Sequence, residues 1–240
     1  MWTFWIANAL AGAIDAEVLR VRLAEVISLR RIRIATERPD IQEDALLRAA
    51  KGEIVTGLEV MAGSASRLGW GVAVADVSIQ RLAAALADDA QKPSFSALRH
   101  AQVLSGTPCA THRRVFQYLP MSIVSDRWWV VDQTVNEPLH AASGGRVRET
   151  IWESVAGPLE LPEPVAAMSL IGVRVAFTRG SWFLVALGPT QTLVEYHAWS
   201  DPGGNVPASV ASRFAASGIP DAIEGMVRLA QATPNCPIVP

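Results

Sequence analysis

Few side chains in this sequence stand at the spacings that chemistry requires. The four histidines, His100, His112, His140 and His197, include no pair three or four residues apart. No helix can therefore present two imidazoles to one metal ion. His100, His112 and His197 fall on or near strand-like runs, and no metal site is expected of them. Gly69-Trp70-Gly71 lacks the further glycine and the strand–turn–helix context of a phosphate-cradling loop, and Gly-x-Ser-x-Gly does not occur. Arg127, Glu149, Glu195 and His197 are the groups that could trade protons inside a cavity. No fixed spacing couples them into an acid–base pair, so no catalytic residue and no cofactor is expected.

Binding groups are easier to find. Strand side chains alternate between faces, so Arg127, Trp129, Val131 and Gln133 share one side while Trp128, Val130, Asp132 and Thr134 share the other. Arg127 is expected to close an ion pair with Asp126 or Glu149, or to orient a ligand's polar end. Gln133 can donate and accept at once, which suits a hydroxyl or carbonyl head group. Trp152 and Tyr196 lie in other strand-like runs, and Phe214 lies on the apolar stripe of a C-terminal helix. A wide sheet and one long helix cannot fill all the space between them. Trp129, Gln133, Arg127, Trp152, Tyr196 and Phe214 are the expected walls of the remaining cavity.

The totals fit such a cavity. Of 240 residues, half are hydrophobic and 18% are charged, which excludes a disordered, solvated polymer. A net charge of −2 offers no pull toward nucleic acid, and no basic-aromatic array marks the strand centres. Cys109 and Cys236 form no metal-ligand pair and read as free thiols, with a disulfide across a long loop as the alternative.

Met1 to Ile14 carries no charged side chain. It is too short to span a bilayer, yet it resembles the apolar part of a signal peptide with small-residue cleavage sites at Ala11 to Ala16. The expected organisation is an export segment over 1–16, a helical extension over 17–52 and one domain over 53–240. A cleaved segment implies a periplasmic or secreted protein. A helix docked on the domain implies a cytoplasmic one.

Asp15 is positioned to cap a helix reaching about Arg33, with arginines on its polar face for solvent or an anionic membrane. A short helix covers 41–51. Strands then recur at short intervals over 54–61, 68–74, 101–104, 113–119, 127–134, 146–154, 173–178, 181–187 and 191–199. Ser78 caps a helix over 79–88, and Arg179-Gly180 reads as a hairpin turn. No helix is expected among the strands after 101, which favours an antiparallel meander. Val206, Val210 and Phe214 begin the last helix, Pro207 suits its first turn, and Gly218-Ile219-Pro220 is expected to interrupt or kink it.

Three segments together resemble the START family. The run Thr111 to Val135 is similar to its central strands, where a strand ending in proline meets a Ser/Pro-x-Arg-Asp-aromatic turn. Asp201-Pro202-Gly203-Gly204-Asn205-Val206-Pro207-Ala208 resembles the Asp-Pro-x-Gly-x-Ile-Pro turn that leads into the family's last helix. Ser217-Gly218-Ile219-Pro220-Asp221 is similar to a later proline step in that helix. The resemblance covers 54–232. It implies an α+β helix-grip fold, a curved antiparallel sheet wrapped around a long C-terminal helix. It also implies a lipid, sterol-like or other hydrophobic ligand and transient membrane contact, with a polyketide cyclase or aromatase, or a ligand-free scaffold, as the alternatives. Trp128 stands where the family's turn carries aspartate, and Gln133 where some sterol-binding members carry a second basic residue. The family's buried charges therefore do not transfer directly.

Overall fold

The computed structural model describes residues 12–238 except Ala65, Asn205 and Pro207, and describes no side chains over 208–217. The predicted segment Met1 to residue 11 and the side chains of Val210 and Phe214 thus lie outside the described residues. Asp15 accepts from the backbone N–H groups of Glu17 and Val18 and starts α1 (Ala16–Val26), which tightens into a 3-10 turn over Ile27–Ile32. After α2 (Glu43–Ala49), Gly52 at φ 90° turns the chain into the sheet.

The strands are β1 (Val55–Val60), β2 (Arg67–Ala75), β3 (His100–Ser105), β4 (His112–Leu119), β5 (Arg127–Val135), β6 (Val147–Ser154), β7 (Val173–Arg174), β8 (Phe177–Ala186) and β9 (Thr192–Asp201). Eight of them form one antiparallel sheet in the order β1-β2-β9-β8-β6-β5-β4-β3, while β7 pairs parallel with the start of β5. Between β2 and β3 the chain crosses to the far edge through α3 (Ile79–Ala87), capped by Ser78, and α4 (Lys92–Phe95). The last helix, α7 (Ala208–Gln231), runs unbroken through Pro220.

Alternation divides the burial. On the inner face, Ala73, Ala75, Trp182, Leu184 and Val194 pack with α3 and with Ile219, Ile223 and Met226 of α7. A Cβ on Gly71 would lie 2.6 Å from Ile219, so a glycine in β2 is what lets the helix come this close. On the outer face, Val72, Val74, Phe183, Val185 and Leu193 pack with Leu19, Val26 and Ala49 of the N-terminal helices. The Gly12 and Ile14 amides also bond to the Val74 and Ala50 carbonyls, so the described part of the extension shares the domain's core.

Four expectations are corrected. Arg179-Gly180 is no turn: it lies inside the continuous strand β8, paired with Trp199 and Ala198. Gly180 is there because any Cβ would strike the Trp152 ring and the His197 carbonyl. Two short helices interrupt the meander, α5 (Glu137–Ala142), capped by Asn136, and α6 (Val165–Ile171). Cys109 and Cys236 form a disulfide across 127 residues of sequence, joining the β3–β4 loop to the tail beyond α7. The Arg81 guanidinium holds the same end of α7 by donating to the Ala230, Gln231 and Ala232 carbonyls. Finally, the arginine-rich segment is only partly solvated. Arg30 and Arg33 turn inward to pair with Glu195, and Arg33 also pairs with Glu149.

Candidate ligand-binding site

A cavity of about 360 Å³ lies between the inner face of the sheet and α7. Its floor is aromatic. Trp129 of β5, Trp152 of β6, Trp182 of β8 and Tyr196 of β9 all line it, with Ile219 and Met226 of α7 opposite. Trp152 and Tyr196 stack at 5.7 Å between centroids, and Tyr196 lies 4.1 Å from Trp182. The opening left by Gly180 lets the Trp152 ring lie along the sheet.

The expected wall residues Arg127, Trp129, Gln133, Trp152 and Tyr196 thus come together around one space. Two have their polar ends occupied. Arg127 makes no ion pair with Asp126 or Glu149, the correction to the pairing expected of it. Its guanidinium donates to the backbone carbonyls of Pro202 (2.7 Å), Gly203 (3.3 Å), Ser125 and Asp126, fastening the turn before α7 to the start of β5. The Gln133 amide accepts from Arg113 (2.7 Å) and donates to Asp89 (3.2 Å).

Gln133 is therefore one corner of a buried network that the sequence reading missed. Asp89 accepts from Lys92 at 2.6 Å and from Arg113, both buried. Burial pushes the Asp89 carboxyl up, but the charges of Lys92 and Arg113 outweigh it and hold the group below its ordinary value. Lys92 lines the same end of the cavity, and its ammonium is lowered chiefly by desolvation, with Arg113 acting in the same direction. One signal was present: alternation puts Arg113 on the face of Gln117 and Leu119, and a buried arginine demands a carboxylate.

Two hydroxyls on the floor remain open. Those of Tyr196 and Thr150 have no hydrogen-bond partner among the described residues. Burial raises the Tyr196 phenol above its ordinary value, so it stays protonated and able to donate.

Of the acid–base candidates, only Arg127 meets the cavity. Glu149, Glu195 and His197 occupy the outer-face positions of β6 and β9, where Arg33 covers them. Glu149 is 0% exposed and accepts from Arg33, the Ile34 amide and Asn136. Burial first, and the Arg33 charge second, lower the His197 imidazole to about 3, so it is neutral at pH 7. Among the described residues no group of three His, Cys, Asp or Glu side chains could hold a metal ion.

No protein-family model and no curated protein matches the chain. Solved structures do match it. The STAR-related lipid transfer protein of Xanthomonas axonopodis covers 73% of this chain and 93% of its own, with TM-score 0.58 and 21% identity. Human StAR-related lipid transfer protein 5 covers 90% and 97%, with TM-score 0.58 and 13% identity. Human STARD10 covers 84% of each chain, with TM-score 0.56 and 15% identity. The fold is START-like. The sheet order and the gripped helix α7 are the START-like frame, and the cavity lies where that frame leaves sheet and helix apart.

Proposed function

We propose that this START-like domain binds one lipid, sterol-like or other hydrophobic small molecule in the cavity, and carries it without chemical conversion. The observation that carries the reading is the cavity itself. It has a tryptophan-rich floor and a volume within the roughly 300–1,000 Å³ of small-molecule sites. Trp129, Trp152 and Tyr196 are its proposed contact surface, with Arg127 and Gln133 holding the two ends in shape and Phe214 as a further wall. The outward placement of Glu149, Glu195 and His197 supports binding over turnover. So do the lipid-transfer names of the solved neighbours.

Exchange with a membrane is proposed at the β4–β5 loop. Met121 and Val124 of this loop line the cavity, while Ile123 between them is 89% exposed. Leu170 and Ile171 of α6 are also exposed and reach the same region, because the Val173 amide bonds to the Asp126 carbonyl at 2.8 Å. Oxidation of Cys109 and Cys236 favours an exported protein, while the hydrogen bonds of the Gly12 and Ile14 amides to the domain oppose cleavage as late as Ala16. N-terminal sequencing of protein from its native cell tests this, and an intact Met1 in cytoplasmic protein contradicts it.

The functional test uses donor and acceptor phosphatidylcholine vesicles, the donors loaded with a fluorescent sterol. The protein should accelerate transfer, and Ile123→Asp should slow it while leaving binding in solution intact. No acceleration and no binding of the sterol or of a fluorescent fatty alcohol would reject the reading.

A further inference from the structure

Most hydrogen-bonding capacity on the cavity wall is already spent within the protein. Arg127 is occupied by carbonyls, and Gln133 by Arg113 and Asp89. Gln117 accepts from the Trp129 indole at 2.7 Å, and Thr178 accepts from Ser200 at 2.7 Å. Around Gln133 the buried charges also balance. Lys92 and Arg113 face Asp89, and Asp88 adds its negative charge near Lys92.

Against this background the open hydroxyls of Thr150 and Tyr196 stand out by position. The register pairs Thr150 with Trp182 across β6 and β8, and Trp182 with Tyr196 across β8 and β9. One row of the sheet thus carries hydroxyl, indole and phenol side by side. The two oxygen-bearing residues are two strand spacings apart, roughly 9–10 Å between backbones. A molecule lying on the Trp182 ring meets a hydroxyl on either side.

Resting on the ligand-binding reading, we propose that Thr150 and Tyr196 form a neutral hydrogen-bonding station selecting an uncharged hydrophobic ligand with an alcohol, ketone or ester oxygen. Fatty-acid anions and phosphate-headed lipids are disfavoured at this station. Each phenol or hydroxyl can donate to or accept from a neutral oxygen. A carboxylate buried there finds no cation in the row, since the cavity's arginines without a carboxylate partner among the described residues, Arg67 and Arg127, stand on other rows of the sheet, and it forfeits its hydration.

The test measures binding of hexadecanol, hexadecanoate and hexadecane at pH 8, with cholestanol and cholestane as a rigid pair. Quenching of tryptophan fluorescence reports occupancy. Tyr196→Phe and Thr150→Val each remove one oxygen while keeping the side chain's shape. The native protein should bind hexadecanol more tightly than hexadecanoate. The substitutions together should weaken hexadecanol or cholestanol about twofold to tenfold per oxygen engaged, leaving the hydrocarbons unchanged. Unchanged hydrocarbon binding also shows that the variants are folded. Hexadecanoate binding as tightly as the alcohol overturns the proposal, as does an equal loss for alcohol and hydrocarbon. Failure of all five probes to bind the native protein removes the cavity reading itself, a different result from loss of selectivity.

Discussion

Replacing Arg33 with methionine should destabilise the whole domain, although Arg33 lies in the N-terminal extension, on the face of the sheet opposite the cavity. Its side chain is 4% exposed and donates to Glu149 at 2.9 Å and to Glu195 at 3.4 Å, stacked 4.1 Å from the Phe183 ring centroid. Methionine can keep the contact with Phe183 but not the charge. Glu149 would retain the Ile34 amide, Asn136 and the Ser181 hydroxyl as donors, none of them a cation, at a fully buried carboxylate. Breaking one side of a buried ion pair costs about 3–5 kcal/mol. Unfolding entropy of about 2.1 cal/mol/K per residue, over 240 residues, converts this to a fall in Tm of roughly 6–10 °C. Urea denaturation of Arg33→Met, Glu149→Gln and the double variant completes a thermodynamic cycle. The double variant should lose less than the sum of the singles, because neutralising Glu149 removes the charge that Arg33 compensates. A loss under about 1 kcal/mol for Arg33→Met, as for an exposed pair, would refute the claim that the extension seals this face.

Two further outcomes are expected. The Cys109–Cys236 bridge closes a loop of 127 residues, so Cys109→Ser with Cys236→Ser should cost up to about 5 kcal/mol, or roughly 10 °C in Tm, by removing a constraint on the unfolded chain. An unchanged Tm in reductant would show that the bridge does not constrain the chain. The folded chain holds His197 neutral down to about 3, while the unfolded chain takes up a proton near 6.5. Its contribution is complete above about pH 6.5 and is lost on acidification at up to about 1.4 kcal/mol per unit toward pH 3. Stability of native protein and His197→Asn, compared from pH 7.5 to 4.5, should converge as pH falls, and parallel curves would contradict the assignment.

The inner face was legible because alternation is a local rule. It correctly grouped Arg127, Trp129, Val131 and Gln133 on β5. The partners of those residues were less visible. Arg127 found carbonyls at Pro202 and Gly203, some 75 residues along the chain, where sequence proximity suggested Asp126. The same alternation places Glu195 and His197 opposite Tyr196, which is why they cannot share the cavity with it. Arg179-Gly180 misled because glycine between β-forming runs signals a turn, whereas here it makes room for Trp152, a side chain from another strand. Nothing in the spacing of Cys109 and Cys236 encodes their pairing. The arginines of the extension read as solvated because helical periodicity cannot say which sheet face receives them.

Native mass spectrometry of the protein purified from its own host tests the central claim most directly. One small, organic-extractable molecule per chain is expected, displaced by added hydrophobic ligand. It should be absent from Ala222→Trp, which fills the cavity from the wall of α7. A native protein that carries nothing and takes up no added sterol or fatty alcohol would contradict it, as would an Ala222→Trp variant that binds as well as the native chain.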